Sequence, residues 1–195
     1  MGVSSLSNTK AVFLARDGVI NRALIRDGLP YPPNSLDELE ILPGVSEALH
    51  ILKEGGFLLI VVTNQPDVGR GIQKKQTVEK MHAYLLKKLP LDVIYVCWHG
   101  QDGECDCRNP LPGLLYQAEQ DWHIDLKKSF MIRDRWRDIG TGHAAGCKTI
   151  FIDYQYDESL KYQPDYTAKS ISDASKQIIQ ESKLSVILKS LPGTN

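Results

Sequence analysis

The amino-acid sequence predicts an α/β fold in three layers, with helices on both faces of a mostly parallel sheet and no large cap domain. Short apolar runs rich in β-branched residues recur along the chain, as is typical of strands buried on both faces. A helical pattern follows each run, as in consecutive βαβ units. No insertion between these segments is long enough to form a separate lid domain.

Five strands and five helices are predicted to alternate along the chain. The strands are residues 10–14, 57–63, 93–96, 130–132 and 149–152. The helices are residues 45–54, 76–89, 112–122, 137–145 and 172–182. In the first helix, Val45, Leu49 and Leu52 form an apolar stripe, and Gly55-Gly56 is a typical helix end.

These elements predict one domain that spans residues 10–183. Residues 1–9 are expected to be a flexible N-terminus and residues 184–195 a C-terminal tail. Residues 22–35, which include three prolines, are expected to form a long loop after the first strand.

The composition argues against several functional classes. The formal net charge of -1 gives no sign of a polyanion-binding surface, so no nucleic-acid partner is expected. No apolar run is long enough to span a bilayer, and the N-terminus lacks a signal-peptide core. We therefore expect a soluble, cytoplasmic protein with no membrane partner. Three of the four cysteines lie between Cys97 and Cys107, which favours a metal site over a disulfide framework.

Polar residues follow the predicted strands at the edge where parallel sheets place their binding sites. Ala15 and Asp17 follow the first strand, Thr63 and Asn64 end the second, and Asp134 follows the fourth. The sequence therefore predicts a functional site at this edge.

Residues 13–19, Phe-Leu-Ala-Arg-Asp-Gly-Val, resemble the first motif of the haloacid dehalogenase (HAD) superfamily of phosphatases, in which two aspartates flank one residue. The resemblance extends over about residues 10–179. It is closest to the branch typified by D-glycero-D-manno-heptose 1,7-bisphosphate phosphatases and the related histidinol-phosphatases. The other motifs that carry the resemblance are residues 17–21, 63–65, 69–71, 134–138 and the cysteine cluster. The resemblance implies a HAD-type, Rossmann-like fold and a phosphorylated sugar as ligand.

The resemblance also implies catalytic roles, and two of the residues that would fill them are replaced. The first aspartate of the motif would attack phosphorus, but Ala15 stands in its position. Asp17 would act as general acid and base. A lysine that neutralises charge on the phosphate would stand at Asn109.

Other matched positions are implied to bind phosphate and Mg²⁺. Thr63, Asn64 and Arg108 would contact phosphate oxygens. Mg²⁺, a hard cation that prefers oxygen ligands, would be held by carboxylates. Those carboxylates would be Asp17, Asp134 and Asp138, and in this chain they are expected to bind Mg²⁺ only weakly.

The cysteine cluster predicts a structural zinc site. Cys-x-His followed by Cys-x-Cys supplies three thiolates and an imidazole, which suit a closed tetrahedral Zn²⁺ site with no position for substrate. The four ligands are Cys97, His99, Cys105 and Cys107. The alternative is that these are ordinary buried thiols and a surface histidine. The remaining histidines, at positions 50, 82, 123 and 143, are interpreted as having no special role.

The replacements predict that the chain is not an active enzyme. Removing a nucleophile costs several kcal/mol of transition-state stabilisation, because catalytic residues act as a unit. With Ala15 and Asn109 in place, we expect an inactive or impaired family member that retains the fold, the zinc loop and some phosphosugar binding. The alternative is an active, Mg²⁺-dependent sugar-bisphosphate phosphatase with a non-standard nucleophile.

Arg133 stands where the family motif has glycine, and two interpretations remain open. The favoured one is a surface arginine, with backbone strain if the glycine had positive φ. The other is compensation, in which the guanidinium binds phosphate.

Overall fold

A computed structural model describes residues 9–100, 104–156 and 161–190. Most of the expected N-terminal segment, residues 1–8, lies outside these ranges. Within them the strands are β1 (Lys10–Leu14), β2 (Leu24–Arg26), β3 (Leu29–Tyr31), β4 (Phe57–Asn64), β5 (Val93–Cys97), β6 (Phe130–Arg133), β7 (Lys148–Ile152) and β8 (Tyr166–Ala168). The helices are α1 (Val45–Glu54), α2 (Pro66–Gly69), α3 (Lys75–Lys88), α4 (Gly113–Trp122), α5 (Trp136–Ala145) and α6 (Ile171–Ser190).

Six strands form one sheet in the order β5-β4-β1-β6-β7-β8. Every neighbouring pair is parallel, as predicted. After β1 the chain adds β4 and β5 on one side of this strand, and it then adds β6, β7 and β8 on the other side. Leu14, the last residue of β1, is therefore paired with Val61 of β4 and with Ile132 of β6.

Alternate residues of β1 enter two separate cores, one on each face of the sheet. Val12 and Leu14 pack in a cluster that includes buried residues of α1, α3 and α6. Ala11 and Phe13 pack in a second cluster with buried residues of α4 and the end of α5. The predicted three-layer α/β fold is confirmed.

Several elements were not predicted. The expected loop 22–35 contains the antiparallel pair β2–β3. Asp27 and Gly28 form its turn with φ of 50° and 74°, the conformation that Asp-Gly favours in a two-residue hairpin. The short strand β8 adds a sixth strand, and α6 continues through Ser190, beyond the expected helix end at residue 182.

The other predicted elements agree with the observed bounds to within a residue or two. β1 and α1 match at both ends. Within the described ranges, no helix combines the length and apolar character needed to cross a membrane.

Candidate active site and metal cluster

A cavity of about 420 Å³ lies where β1, β4 and β6 end. The three strands are parallel neighbours, so their carboxyl ends meet at one edge of the sheet. This edge brings together the sequence-predicted residues Ala15, Asp17, Thr63, Asn64, Arg108, Asn109, Arg133, Asp134 and Asp138. The cavity is also lined by residues that sequence reasoning did not select as site residues, including Arg16, Gln65, Arg135 and Arg137.

Donors on three sides hold the Asp17 carboxylate. Arg16 is fully buried, and its Nη2 donates to both carboxylate oxygens at 3.0 Å. Asn21 Nδ2 donates to Oδ1 at 3.0 Å, and Gln65 Nε2 donates to Oδ2 at 3.3 Å. The carboxylate therefore has a fixed orientation at the cavity wall, with about a fifth of the side chain exposed.

His82 of α3 supports this arrangement from behind. Arg16 Nη1 donates to His82 Nε2 at 3.1 Å, which requires a neutral imidazole acceptor. Burial, reinforced by the adjacent Arg16 charge, lowers the pKa of His82 to about 4. His82 was interpreted from sequence as having no special role; its buried contact with Arg16 makes it part of the support of Asp17.

Asp134 follows β6 and is buried against the backbone of Gly18. Gly18 has φ of 77°, and a Cβ at that position would overlap the Asp134 carboxylate. Burial and the neighbouring carboxylates of Asp138 and Asp17 raise the pKa of Asp134 to about 7. Tyr156 hydrogen-bonds this carboxylate, and its own pKa is raised chiefly by burial. A cation beside Asp134 would offset the negative charge concentrated here.

Asp138 is contacted by two of the three residues that replace family positions, Asn109 and Arg133. Asn109 Nδ2 donates to Asp138 Oδ1 at 2.5 Å. Arg133 Nη1 lies 3.6 Å from Asp138 Oδ2. The Arg133 side chain is only 2% exposed, so the expected surface arginine is wrong. Its φ is not positive, so the substitution causes no left-handed backbone strain.

The predicted phosphate-contacting residues line the same cavity, but they differ in the hydrogen bonds that they make within the protein. Thr63 Oγ1 accepts a hydrogen bond from Gln65 Nε2 at 3.0 Å, which leaves its own proton available. Asn64 Oδ1 is buried and has no hydrogen-bond partner within the described ranges. Arg108 Nη1 donates to the carbonyl oxygen of His99 at 3.2 Å, which links the cavity to the cysteine cluster.

The cysteine cluster has the geometry of a metal site. The ligand atoms of Cys97, His99, Cys105 and Cys107 all lie within 4.8 Å of one another. Cys97 Sγ is 3.8 Å from Cys105 Sγ and 3.6 Å from His99 Nδ1. Two sulfurs bound at about 2.3 Å to one tetrahedral ion would lie about 3.8 Å apart, so the cluster fits such an ion. Among the residues that the structure describes, this is the one such group, so the cavity carboxylates do not converge as tightly.

Known proteins identify the family. A family model described as "HAD-hyrolase-like" matches residues 106–174. The D-glycero-beta-D-manno-heptose-1,7-bisphosphate 7-phosphatase of Pasteurella multocida (strain Pm70) is 37% identical over 183 residues, covering 87% of this chain and 96% of the relative. The chain belongs to this phosphatase family. The Escherichia coli (strain K12) relative of the same name is 35% identical over 151 residues, covering 71% of this chain and 76% of that one.

Solved structures agree with the family assignment. The D,D-heptose 1,7-bisphosphate phosphatase from B. bronchiseptica, crystallised with magnesium and phosphate, matches with a TM-score of 0.76 and 27% identity, covering 89% of this chain and 99% of that chain. A HAD-like phosphatase from Mesorhizobium loti matches with a TM-score of 0.71 at 23% identity, which supports the fold alone. The HAD-type, Rossmann-like fold predicted from the motifs is confirmed.

The prediction that the chain is not an enzyme is wrong. Relatives that are 35–37% identical over most of their length are named as phosphatases, so the family points to an enzyme. Ala15 and Asn109 replace single groups in a cavity that still contains Asp17, Asp134 and a buried cation, Arg133. A loss of activity therefore does not follow from those two replacements.

Gly18→Ala should destabilise the protein more than Gly71→Ala. Both glycines have positive φ, 77° and 72°, so each substitution incurs left-handed strain of about 1–2 kcal/mol. A Cβ at Gly71 meets nothing within 4 Å, whereas a Cβ at Gly18 would displace Asp134. Urea unfolding of both variants measures the difference, and equal losses of unfolding free energy would contradict the close packing of Gly18 on Asp134.

His82 should make the protein sensitive to acid. Its pKa is lowered in the folded state, so the unfolded state binds the proton first as pH falls below about 6.5. The contribution of His82 to the unfolding free energy should therefore decrease between about pH 6.5 and pH 4, by up to about 3 kcal/mol, while the raised pKa of Asp134 acts in the opposite sense in the wild type and in the variants alike. Urea titrations across this range should show that His82→Gln retains more of its neutral-pH unfolding free energy at low pH than the wild type does. His50 is an exposed residue of α1, so His50→Gln is the control and should keep the wild-type slope of unfolding free energy against pH. Identical slopes for all three proteins would refute the role of His82.

Proposed function

We propose that this chain hydrolyses a phosphate monoester of a phosphorylated sugar, with a heptose 1,7-bisphosphate as the first candidate substrate. The observation that carries this proposal is that Asp17 and Asp134 line one cavity beside Thr63, in a chain closely related to named heptose-bisphosphate phosphatases. Carboxylates that move protons and donors that hold phosphate oxygens are the groups such a hydrolysis needs.

Ala15 determines how the attack on phosphorus would begin. Ala15 and Asp17 line the same cavity, and the Ala15 methyl group occupies less space than a carboxylate and offers no side-chain oxygen. A water molecule in the cavity can attack phosphorus directly. This mechanism needs one displacement and forms no phosphorylated enzyme.

Asp17 would act as the general base that accepts a proton from the attacking water. Its carboxylate is held by Arg16, Asn21 and Gln65, and it lines the cavity together with Ala15. The water oxygen forms a bond to phosphorus while its proton passes to Asp17, and the bond from phosphorus to the sugar oxygen breaks. The leaving oxygen takes a proton from solvent, and Asp17 later returns its own.

Thr63, Asn64 and Arg108 would hold the phosphoryl oxygens during this step. Thr63 has an uncommitted hydroxyl proton, and Asn64 and Arg108 line the same cavity. Asp17, Asp134 and Asp138 would hold Mg²⁺, which when bound neutralises charge on phosphate oxygens. The raised pKa of Asp134 fits this assignment, because it reflects burial and crowding with other carboxylates.

Zinc at the cysteine cluster would have a structural role. All four ligands come from the protein, so no position remains for substrate. The cluster would fix the loop that carries Arg108, whose guanidinium donates to His99. It would thereby set the position of one phosphate contact without taking part in the reaction.

Phosphate release from D-glycero-D-manno-heptose 1,7-bisphosphate with Mg²⁺ tests the proposed activity. The chain as written should turn over repeatedly, and Asp17→Asn should lower the rate by about 100-fold or more, as expected for loss of an acid–base group. Asp173→Asn, at an exposed position on α6, is the control and should keep full activity. No release by the wild type, or equal release by Asp17→Asn from the same purification, would contradict the proposal.

Cys105→Ala should release the structural metal. The purified protein should contain one equivalent of zinc, and removal of one thiolate should lower that content and loosen the loop around Arg108. Cys147→Ala is the matched control, because Cys147 is buried outside the cluster. Elemental analysis gives the zinc content, and one full equivalent retained in Cys105→Ala would refute this ligand set.

A further inference from the structure

Arg133 is a buried cation with donors that the protein does not use. Its side chain is 2% exposed and it lines the cavity. Its Nε and Nη2 atoms have no hydrogen-bond partner within the part of the chain that the structure describes. Buried donors without partners are rare and costly, and a buried guanidinium is more costly still.

The two unused donors form one edge of the guanidinium. Nε–H and one Nη2–H of an arginine point in the same direction, with the spacing that matches two oxygens of a carboxylate or phosphate. The remaining nitrogen, Nη1, lies 3.6 Å from Asp138 Oδ2. Asp138 therefore accounts for one side of the group, and the bidentate edge is buried without a partner among the described residues.

Arg133 and Asn109 both contact Asp138. The Asp138 carboxylate receives a hydrogen bond from Asn109 on one oxygen and has Arg133 beside the other. Arg133 and Asn109 therefore lie beside the two oxygens of one carboxylate, and of the two only Arg133 is charged. Both side chains line the cavity with Thr63 and Asp17.

We propose that Arg133 binds a phosphoryl group in this cavity through Nε and Nη2, and that it supplies the positive charge that Asn109 lacks. This inference deepens the proposed function and rests on it for the identity of the ligand. The phosphoryl group belongs to the sugar ester before hydrolysis or to free phosphate after it. Arg133 is a binding residue of this site and does not take the place of the attacking group.

Calorimetric titration with inorganic phosphate tests the inference without requiring turnover. In Mg²⁺-free buffer, Arg133→Gly should weaken phosphate binding at least tenfold, since two charge-assisted hydrogen bonds are lost. Arg133→Lys, which keeps the charge but not the fork, should bind with intermediate affinity. Arg22→Met is the control, because Arg22 is an exposed arginine outside the cavity that pairs with Glu40. It should bind phosphate like the wild type.

Moving the positive charge from position 133 to position 109 provides the decisive comparison. Asn109→Lys in the Arg133→Gly background should restore phosphate affinity to within a few-fold of the wild type, because the two positions flank the same carboxylate. Should Arg133→Gly fail to fold, Arg133→Gln removes the charge and the guanidinium fork but keeps a polar side chain of intermediate length. Wild-type phosphate affinity in a folded Arg133→Gly or Arg133→Gln variant would overturn the inference.

The two proposals fail separately. Phosphate binding that depends on Arg133 in a protein that releases no phosphate from the sugar ester would support this inference and contradict the proposed hydrolysis. Normal hydrolysis together with phosphate binding that is indifferent to Arg133 would do the reverse. A KM that rises in Arg133→Gly would assign the contact to the sugar ester, whereas an unchanged KM with weaker phosphate inhibition would assign it to the product.

Discussion

The parallel pairing of β1 with β4 on one side and β6 on the other determines the candidate site. Because all three strands run in the same direction, the residues that follow them meet at one edge of the sheet. The first motif, Thr63 and Asp134 are far apart in sequence and share one cavity for this reason. The two cores on either face of β1 keep that edge in place, since alternate residues of the strand are buried in each.

The cavity is built from buried charges that depend on one another. Arg16 is fully buried because Asp17 and His82 satisfy its guanidinium, and His82 remains neutral because it is buried beside that cation. Asp134 has the opposite character: its pKa is raised because it is buried among other carboxylates. Within the described residues, Arg133 lies 3.6 Å from the Asp138 carboxylate, and its Nε and Nη2 atoms have no hydrogen-bond partner. Arg16, Asp17 and His82 thus satisfy one another. A bound cation would offset the negative charge at Asp134, and a bound anion would offset the positive charge of Arg133.

The sequence was sufficient for the elements whose signals are local. The apolar run of β1 and the stripe of α1 predict both bounds of these elements, and motif spacing placed the cavity residues together. Asp27-Gly28 is also a local signal, because this dipeptide favours the two-residue turn that joins β2 to β3. By contrast, three-residue β8 has no periodicity to detect, and the burial of Arg133 and His82 depends on contacts with distant segments. The expectation of inactivity rests on the identities of residues 15 and 109 alone, and relatives that are named as phosphatases overturn it.

The central claim is that Ala15 leaves room for water to attack phosphorus in a single displacement. The stereochemical course at phosphorus tests it most directly, using a sugar thiophosphate that is made chiral at phosphorus by sulfur and two oxygen isotopes and is hydrolysed in water that carries the third. One in-line displacement inverts the configuration, whereas two successive displacements through a phosphorylated residue retain it. The account predicts inversion. Retention would contradict it and would show that a side chain, such as Asp17, becomes phosphorylated during the reaction.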